Sequence, residues 1–445
     1  MHAANGERRT AWCGVQPQGL PEARRGGLAG AALLGTAGCG GGGSSSGEVI
    51  FSWGPDDTGV LPKLIKKFNE QHKGKFQVKF REMPSDTGQY FDQLRTEFQA
   101  GGGDTDVIGG DVIWPAQFAA NGWIADLSDR FTDTDAFLSG PMQGMTYDGK
   151  VWGVPWYTDA GLLYYRSDLL EEAGFSEAPT TWDEMKEMAL KTSQDTGTSF
   201  GFVFQGAEYE GGVCNGLEYI WTHGGNVLDP EDPTKVVIDS PESAAGLATQ
   251  HSMIADGVSP QAVLQYKEDE SHAAFLRGDA VFMRNWPYVY ALAGIPEESD
   301  IEPAQVGVAQ IPVVQGTRSY STLGGWNFLI NAASDMQEEA WEFIRFMTDP
   351  EQLKTNAVEG SRLPVRQSLY EDQEILDKVP VARLGKEAII QNSTPRPVSP
   401  YYSDMSLELA QQFNSSLGGD VSPEEAVKTL QTQLQQIVEE GQQVS

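Results

Sequence analysis

One stretch near the middle of the chain, residues 155–166, constrains the fold more than any other. Its sequence, PWYTDAGLLYYR, begins polar and aromatic and ends as an apolar run rich in β-forming residues. Such a run indicates a strand that is buried on at least one face. A hairpin pattern with Asp148-Gly149 at its turn precedes it, and long helical patterns follow from Leu169 onward. The stretch therefore predicts a strand that bridges two differently built lobes, with Tyr157 and Asp159 in the cleft between them.

Strand and helix patterns alternate before this bridge. Their order predicts a parallel sheet with crossover helices, whose ligands bind at the carboxyl ends of the strands. Asp57, Asp86 and Asp111 fall in loops at those ends. The predicted strands are 48–53, 76–80 and 106–114, and the helices between them are centred on 61–68 and 90–98.

The second half predicts two more crossings between the lobes. A second bridge is expected at 306–312, a return into the first lobe at 321–330, and a helix at 340–346 that leads back to the second lobe. Neither lobe is then continuous in sequence. We expect the N-terminal lobe to comprise 48–157 and 311–337, and the C-terminal lobe to comprise 158–310 and 338–445.

The N-terminal residues have the character of a targeting segment. Arg24-Arg25 precedes a short, small-to-apolar stretch that ends at Cys39, as in a bacterial lipoprotein signal. We expect 1–38 to be a signal peptide with an upstream extension, Cys39 to be the lipidated residue, and 39–47 to be a Gly/Ser tether. The alternative is that Cys39 is an ordinary cysteine in a glycine-rich linker. Both the general and the twin-arginine export routes stay open.

Charge and cysteine content exclude several classes of function. The 445 residues carry a formal net charge of -32, which argues against nucleic acid and against an anionic membrane surface as the main partner. Cys214 is the one cysteine left after the predicted cleavage, so neither an intramolecular disulfide nor a cysteine-based zinc site is expected. We predict no metal and no cofactor. We also expect a monomer.

Several short motifs, in order, give the chain a family resemblance. They are PTTWDE at 179–184, GGW at 324–326 and MTDPE at 347–351, behind a lipoprotein-type cysteine and a first strand and helix. The chain resembles the solute-binding lipoproteins of bacterial carbohydrate ABC importers (family 1). The resemblance implies an α/β periplasmic-binding-protein-like fold, with two lobes joined by a three-crossing hinge. It also implies a non-enzymatic receptor that is lipid-anchored on the outer face of the cell membrane and docks on the permease subunits.

Further segments are similar to the trehalose/maltose-binding branch of that family. They are 111–114, 156–159, 284–288, 325–326 and Arg396. The branch implies a neutral disaccharide that is captured by lobe closure, with carboxylates and Arg396 on its hydroxyls and aromatic rings on its faces. Either Asp56 or Asp57 contacts the sugar, and we take Asp57 as the candidate. The implied contacts are Asp57, Asp86, Asp111, Tyr157, Asp159, Trp286, Tyr288, Gly325, Trp326 and Arg396.

Sugar chemistry supports the same residue types and leaves alternatives open. A pyranose presents C–H groups on its faces and hydroxyls around its edge, which suit aromatic planes and carboxylates respectively. The same fold could bind maltodextrin, sucrose or another oligosaccharide. A more distant alternative is an extracytoplasmic glycoside hydrolase that uses Asp111 and Asp159. Structural roles also stay open: Asp111 as a cap, Asp159 as the partner of an arginine, and Trp114 as a core residue.

Overall fold

A computed structural model describes residues 47–102, 104–232, 234–390, 392–397 and 399–444. The predicted signal peptide, Cys39 and the tether up to residue 46 lie outside the described residues. The predicted tether runs one residue too far, because Gly47 already belongs to the first strand and pairs with Phe76.

Strands and helices alternate through most of the described chain. The strands are β1 (Gly47–Trp53), β2 (Phe76–Glu82), β3 (Val107–Asp111), β4 (Thr146–Tyr147), β5 (Lys150–Val151), β6 (Val154–Ala160), β7 (Leu162–Arg166), β8 (Phe200–Val203), β9 (Ala280–Asn285), β10 (Val306–Ala309), β11 (Ser321–Ile330), β12 (Leu363–Pro364) and β13 (Ser393–Thr394). The helices are α1 (Val60–Gln71), α2 (Thr87–Gln99), α3 (Pro115–Ala120), α4 (Ser139–Gly144), α5 (Ser167–Glu172), α6 (Trp182–Thr196), α7 (Glu210–Thr222), α8 (Pro241–Ala255), α9 (Glu268–Leu276), α10 (Val289–Leu292), α11 (Gln337–Met347), α12 (Pro350–Gly360), α13 (Gln373–Lys378), α14 (Pro380–Ile390), α15 (Tyr402–Gly418) and α16 (Pro423–Val444).

Two separate sheets form the centres of two lobes. Over the described residues, the first lobe holds a seven-stranded sheet in the order β12-β6-β11-β3-β1-β2, with β13 paired to β11. In it, β1 runs parallel to β2 and β3, and β11 runs antiparallel between β3 and β6. The second lobe holds the sheet β10-β7-β9-β8. This arrangement confirms the predicted two-lobed α/β fold.

The described chain passes between the lobes at three places, which we call the crossing segments. The first is Gly161, between β6 and β7; the second connects β10 to β11; the third follows β13 and precedes α15. Gly161 has little room for a side chain, because a Cβ atom there would lie 2.0 Å from Oε1 of Glu218. The bridging strand is therefore split by a glycine at the point where it changes sheets.

The structure corrects the predicted position of the segment after β11. The expectation that all of 338–445 belongs to the C-terminal lobe is wrong for α11–α14, which pack on the first lobe. The Phe343 ring of α11 lies 5.5 Å from Phe51 and 5.2 Å from Phe68 between centroids. Lys63 of α1 also pairs with Glu359 of α12 at 2.8 Å. An amphipathic stripe indicates that a helix buries one face, but it does not indicate against which sheet. Helices α15 and α16 do pack against α7 and α8 of the second lobe.

Replacing Phe343 by Ala should destabilise the protein by about 3–5 kcal/mol, the usual cost of deleting a buried phenyl ring. The side chain is fully buried against first-lobe rings. Urea denaturation measures the change. The control is Leu407→Ala on α15, whose residue is 70% exposed and which should change stability by less than about 0.5 kcal/mol. Equal effects of the two substitutions would contradict the packing of α11 on the first sheet.

Candidate functional site

A cavity of about 430 Å³ is lined by residues of both lobes. All ten residues predicted to bind ligand line it, so the structure brings the whole predicted set together. Their role in binding stays a prediction. A groove of larger volume, about 580 Å³, is lined by residues of α1 and β2 and contains none of them. The ten are Asp57, Asp86, Asp111, Tyr157, Asp159, Trp286, Tyr288, Gly325, Trp326 and Arg396.

The first-lobe wall of the cavity is set by the pairing of β11. Trp326 lies opposite Asp111 of β3 on one side and opposite Tyr157 of β6 on the other. Its ring makes edge contacts with Trp53, at 5.9 Å between centroids, and with Trp114, at 5.7 Å. Trp114 is buried and does not line the cavity, which agrees with its alternative interpretation as a core residue.

Gly325 belongs to this wall through its backbone. Its φ of +129° is one that residues with side chains rarely adopt, and a Cβ atom would lie 2.5 Å from the carbonyl oxygen of Tyr157. The ladder with β6 shifts its register just after this position, between Trp326 and Asn327. The glycine thus allows β11 to approach β6 closely at the floor of the cavity.

The second-lobe wall is aromatic as well. The Trp286 indole donates from Nε1 to Oε1 of Glu268 at 3.2 Å, and the Arg284 guanidinium lies 4.1 Å from the centre of its ring. Nearby, the Tyr288 hydroxyl lies 3.0 Å from Nδ1 of His272. Rings on opposite walls could cover the two faces of a flat, weakly polar solute.

Asp111 and Arg396 contact each other. Arg396 donates from Nη2 to Oδ1 of Asp111 and from Nη1 to Oε1 of Glu210, both at 2.7 Å. Glu210 also accepts a hydrogen bond from the Tyr402 hydroxyl at 2.7 Å. Part of the hydrogen-bonding capacity that was expected to serve a sugar is therefore used within the protein, in a contact that joins β3 to α7.

Asp159 has a different environment. It is 8% exposed, and its Oδ1 has no hydrogen-bond partner among the described residues. The alternative of an ion pair between Asp159 and an arginine is not seen in that part of the chain. Burial raises the pKa of Asp159 to about 7. Burial and the neighbouring carboxylate of Asp269 raise the pKa of Asp57 to about 6. The cavity thus holds a buried carboxyl group whose oxygen is free to accept a hydrogen bond from a solute.

Asp56 has a structural role next to the site. It accepts hydrogen bonds from Nη2 of Arg362 at 2.7 Å and from the Leu61 amide at 2.8 Å. Although burial raises the pKa of Asp56, the Arg362 guanidinium and the hydrogen bonds from the Leu61 amide and the Thr58 hydroxyl together lower it below its usual value. Asp57 lines the cavity and Asp56 does not, which supports the choice of Asp57 as the candidate contact.

An ion pair between the lobes borders the cavity. Asp86 caps α2 by accepting from the Gln89 amide at 2.9 Å, and its other carboxylate oxygen contacts Nζ of Lys267 in the second lobe. Asp86 was predicted as a sugar contact, and in this arrangement it also joins the two lobes.

Several lining residues escaped the sequence analysis. Trp53 could have been found, because it ends the first strand of a sheet whose strand ends were expected to bind. Five others lie at the start of α7 or α9 or just after α12, and helix ends of this kind occur throughout the chain, so no local pattern distinguishes these residues. They are Tyr209, Glu210, Lys267, Glu268 and Arg362.

Other kinds of site are not apparent in the described residues. That part of the chain contains no group of three or more His, Cys, Asp or Glu side chains arranged to hold a metal ion. None of its helices combines the length and the apolar character needed to cross a membrane. Cys214 is buried at the edge of the cavity, and burial raises the pKa of its thiol.

Comparisons with known proteins place this arrangement in context. Residues 54–354 match the family described as bacterial extracellular solute-binding protein. A Deinococcus radiodurans protein named "Probable ABC transporter-binding protein" is 34% identical over 82% of this chain and 87% of its own length. The maltose-bound MalE3 of T. maritima is 38% identical and has a TM-score of 0.82, over 87% of this chain and 99% of that chain. A Thermotoga lettingae solute-binding protein bound with α-D-tagatose is 25% identical, with a TM-score of 0.79 over 88% of this chain and 100% of that chain.

Replacing Asp159 by Asn should raise the free energy of unfolding at pH 7 but not at pH 4. The folded-state pKa of about 7 lies above the ordinary value of 3.8, so between these values the unfolded chain releases a proton that the folded protein keeps. Stability therefore falls as the pH rises from 4 to 7, and the Asn variant lacks that fall. Urea denaturation should show that the free energy of unfolding of the variant, minus that of the natural chain, increases from pH 4 to pH 7. The increase should exceed about 1.4 kcal/mol, the equivalent of one pKa unit.

Asp126→Asn provides a control of opposite sign. The Ser128 hydroxyl and amide, with Lys150, lower the pKa of Asp126 to about 2. The control variant should be less stable than the natural chain at pH 7, and this difference should disappear as the pH falls toward 2. A pH-independent effect of Asp159→Asn would be evidence against a buried, protonated carboxyl group in the cavity.

Proposed function

This chain belongs to the bacterial extracellular solute-binding proteins, and we propose that it captures a neutral disaccharide, trehalose or maltose, for the permease of an ABC importer. The cavity between the lobes is the proposed sugar site. In this proposal Cys39, which lies outside the described residues, carries the lipid anchor that holds the protein at the outer face of the cell membrane.

The composition of the cavity carries the proposal. Its volume of about 430 Å³ lies within the usual range for small-molecule sites, about 300–1,000 Å³. Tyr157 and Trp326 contribute rings from the first lobe, and Trp286 and Tyr288 from the second. Asp159 supplies a buried acceptor without a partner among the described residues. Aromatic faces with a few buried carboxyl groups match a solute that has apolar ring faces and many hydroxyl donors.

The charges in the cavity favour an uncharged solute. Three cationic side chains line it, and each already contacts a carboxylate: Arg396 with Asp111, Arg362 with Asp56, and Lys267 with Asp86. The lining also contains eight Asp and Glu residues, so a phosphorylated or acidic sugar would meet an excess of negative charge there. Hydroxyl groups only have to donate to oxygens that are already present.

Lobe closure is the proposed capture step. The crossing segments join two lobes with separate sheets, so bending there can open and close the cavity, as in other two-lobed receptors. Closure removes water from the carboxylates, which strengthens their hydrogen bonds to the sugar, each contributing roughly 1.5–3 kcal/mol. The maltose bound to MalE3 of T. maritima supports an α-glucoside, and the tagatose-bound relative indicates that solutes differ between members of the fold.

Replacing either Trp286 or Trp326 by Ala should weaken disaccharide binding by roughly 10–150-fold. Removing a stacking ring exposes apolar sugar surface, and the loss of about 1.5–3 kcal/mol gives this range. Isothermal titration calorimetry measures the affinity. Trp341→Ala, on α11 and outside the cavity, is the matched control and should leave the affinity unchanged. Unaltered affinity in both cavity variants would remove the proposed site.

A thermal-shift panel of trehalose, maltose, maltotriose, sucrose and glucose should show the largest stabilisation with trehalose or with maltose.

Because the solute is neutral, its affinity should vary less than about twofold between low and high salt, since ionic screening acts on charges. A steep salt dependence would identify a charged solute instead.

Prolonged incubation with the sugar that gives the largest thermal shift should leave that sugar intact, whereas released glucose would favour the glycoside hydrolase alternative.

A further inference from the structure

A buried ion pair lies beneath the aromatic wall of the second lobe. Glu218 of α7 and Arg284 of β9 each have side chains that are 2% exposed. Arg284 donates from Nε to Oε2 of Glu218 at 2.8 Å and from Nη2 to Oε1 at 2.6 Å. Uncharged replacements of such pairs often leave stability unchanged or improve it, because burying two charges costs solvation free energy. The need for stability alone therefore does not explain this pair.

One end of the pair contacts the ring that faces the cavity. The Arg284 guanidinium carbon lies 4.1 Å from the centre of the Trp286 ring. Trp286 lines the cavity and Arg284 does not, so the guanidinium contacts the indole from the protein side. The edge of the same ring donates to Glu268 at 3.2 Å. The indole is thus held on one face and at one edge, which leaves its remaining face available for stacking.

The other end of the pair is anchored at the first crossing segment, Gly161, and at the start of β11, where the second crossing segment ends. Oε1 of Glu218 also accepts a hydrogen bond from the Thr322 amide of β11 at 3.0 Å. The backbone of Gly161 passes so close that any Cβ atom there would collide with the same oxygen. The Ser321 hydroxyl joins the two places by donating to the Gly161 carbonyl oxygen at 2.8 Å. One carboxylate therefore contacts both the point where the chain leaves β6 and the point where it enters β11.

We propose that Glu218 and Arg284 are positioning residues for sugar capture, which hold the Trp286 indole in its stacking orientation and are themselves anchored at Gly161 and the start of β11. Neither side chain lines the cavity, so neither touches the solute. The proposal rests on the proposed function, because it assigns the ring a sugar to stack on.

The double variant R284Q/E218Q tests this role. It removes both charges together, so no charge is left buried without its partner, and the side-chain amide introduced at position 218 still offers an oxygen to the Thr322 amide. The disaccharide Kd, measured by calorimetry, should rise at least tenfold. In a Trp286→Ala background the same two changes should alter Kd less than twofold, because the ring through which they act is gone. R166Q/D168N is the control; it removes a second-lobe pair with a 2.6 Å contact outside the cavity and should change Kd less than twofold.

A measurement without sugar separates this proposal from the proposed function. In protein labelled with 5-fluorotryptophan, the ¹⁹F signal of Trp286 can be assigned by its loss in Trp286→Phe. It should split or broaden in R284Q/E218Q, because a ring that is no longer held samples more than one orientation, and stay a single sharp line in R166Q/D168N. A single sharp line in R284Q/E218Q, shifted or not, or a tenfold loss of affinity that persists without Trp286, would overturn the positioning role. Failure of the natural chain to bind any disaccharide would instead refute the proposed function, and the ¹⁹F signal would still decide whether the pair holds the ring.

Discussion

The register of β11 between β3 and β6 determines what the cavity contains. Because side chains alternate along a strand, a slip of one residue would turn Trp326 away from Asp111 and Tyr157, its neighbours on the two flanking strands. The register is possible only with a small residue before Trp326, since Gly325 lies against the backbone of β6. The placement of this one strand brings Asp111, Tyr157 and Trp326 together in the first-lobe wall.

The charged side chains of the cavity fall into two sets, according to whether another side chain of the protein pairs with them. Ion pairs such as Asp111–Arg396 and Asp86–Lys267 form the first set and join distant parts of the chain. Asp159 represents the other set, because it is buried and its Oδ1 lacks a partner among the described residues. A group of this kind destabilises the empty protein at neutral pH, and a hydroxyl donor that reaches it offsets that cost. Under the proposed function, the Asp159 carboxyl group lowers the stability of the empty protein and also accepts a hydrogen bond from the bound sugar.

Local patterns in the sequence predicted the sheets and the strand ends well. They did not predict which side chains contact each other or which sheet a helix packs against. The rule that ligands lie at the carboxyl ends of strands, together with the family resemblance, selected residues such as Asp111 and Trp326 that the structure brings to one cavity. The contact between Asp111 and Arg396 spans 285 positions, and no local spacing encodes such a pair. The prediction assigned α11 to the wrong lobe for the same reason, because its apolar stripe could pack on either sheet. Side-chain roles in binding stay predictions.

The discontinuous order of the strands affects how the chain is made as well as how it works. Strand β3 ends at Asp111, whereas β11, which pairs directly with it, begins only at Ser321. At about 5–20 residues per second, ribosomes need roughly 10–40 s to synthesise the intervening segment. Until then one edge of the nascent sheet lacks its neighbour, and the closure of so long a loop makes folding slow. The central ladder of the first lobe, between β3 and β11, is therefore one of the last parts of the sheet that can form during synthesis.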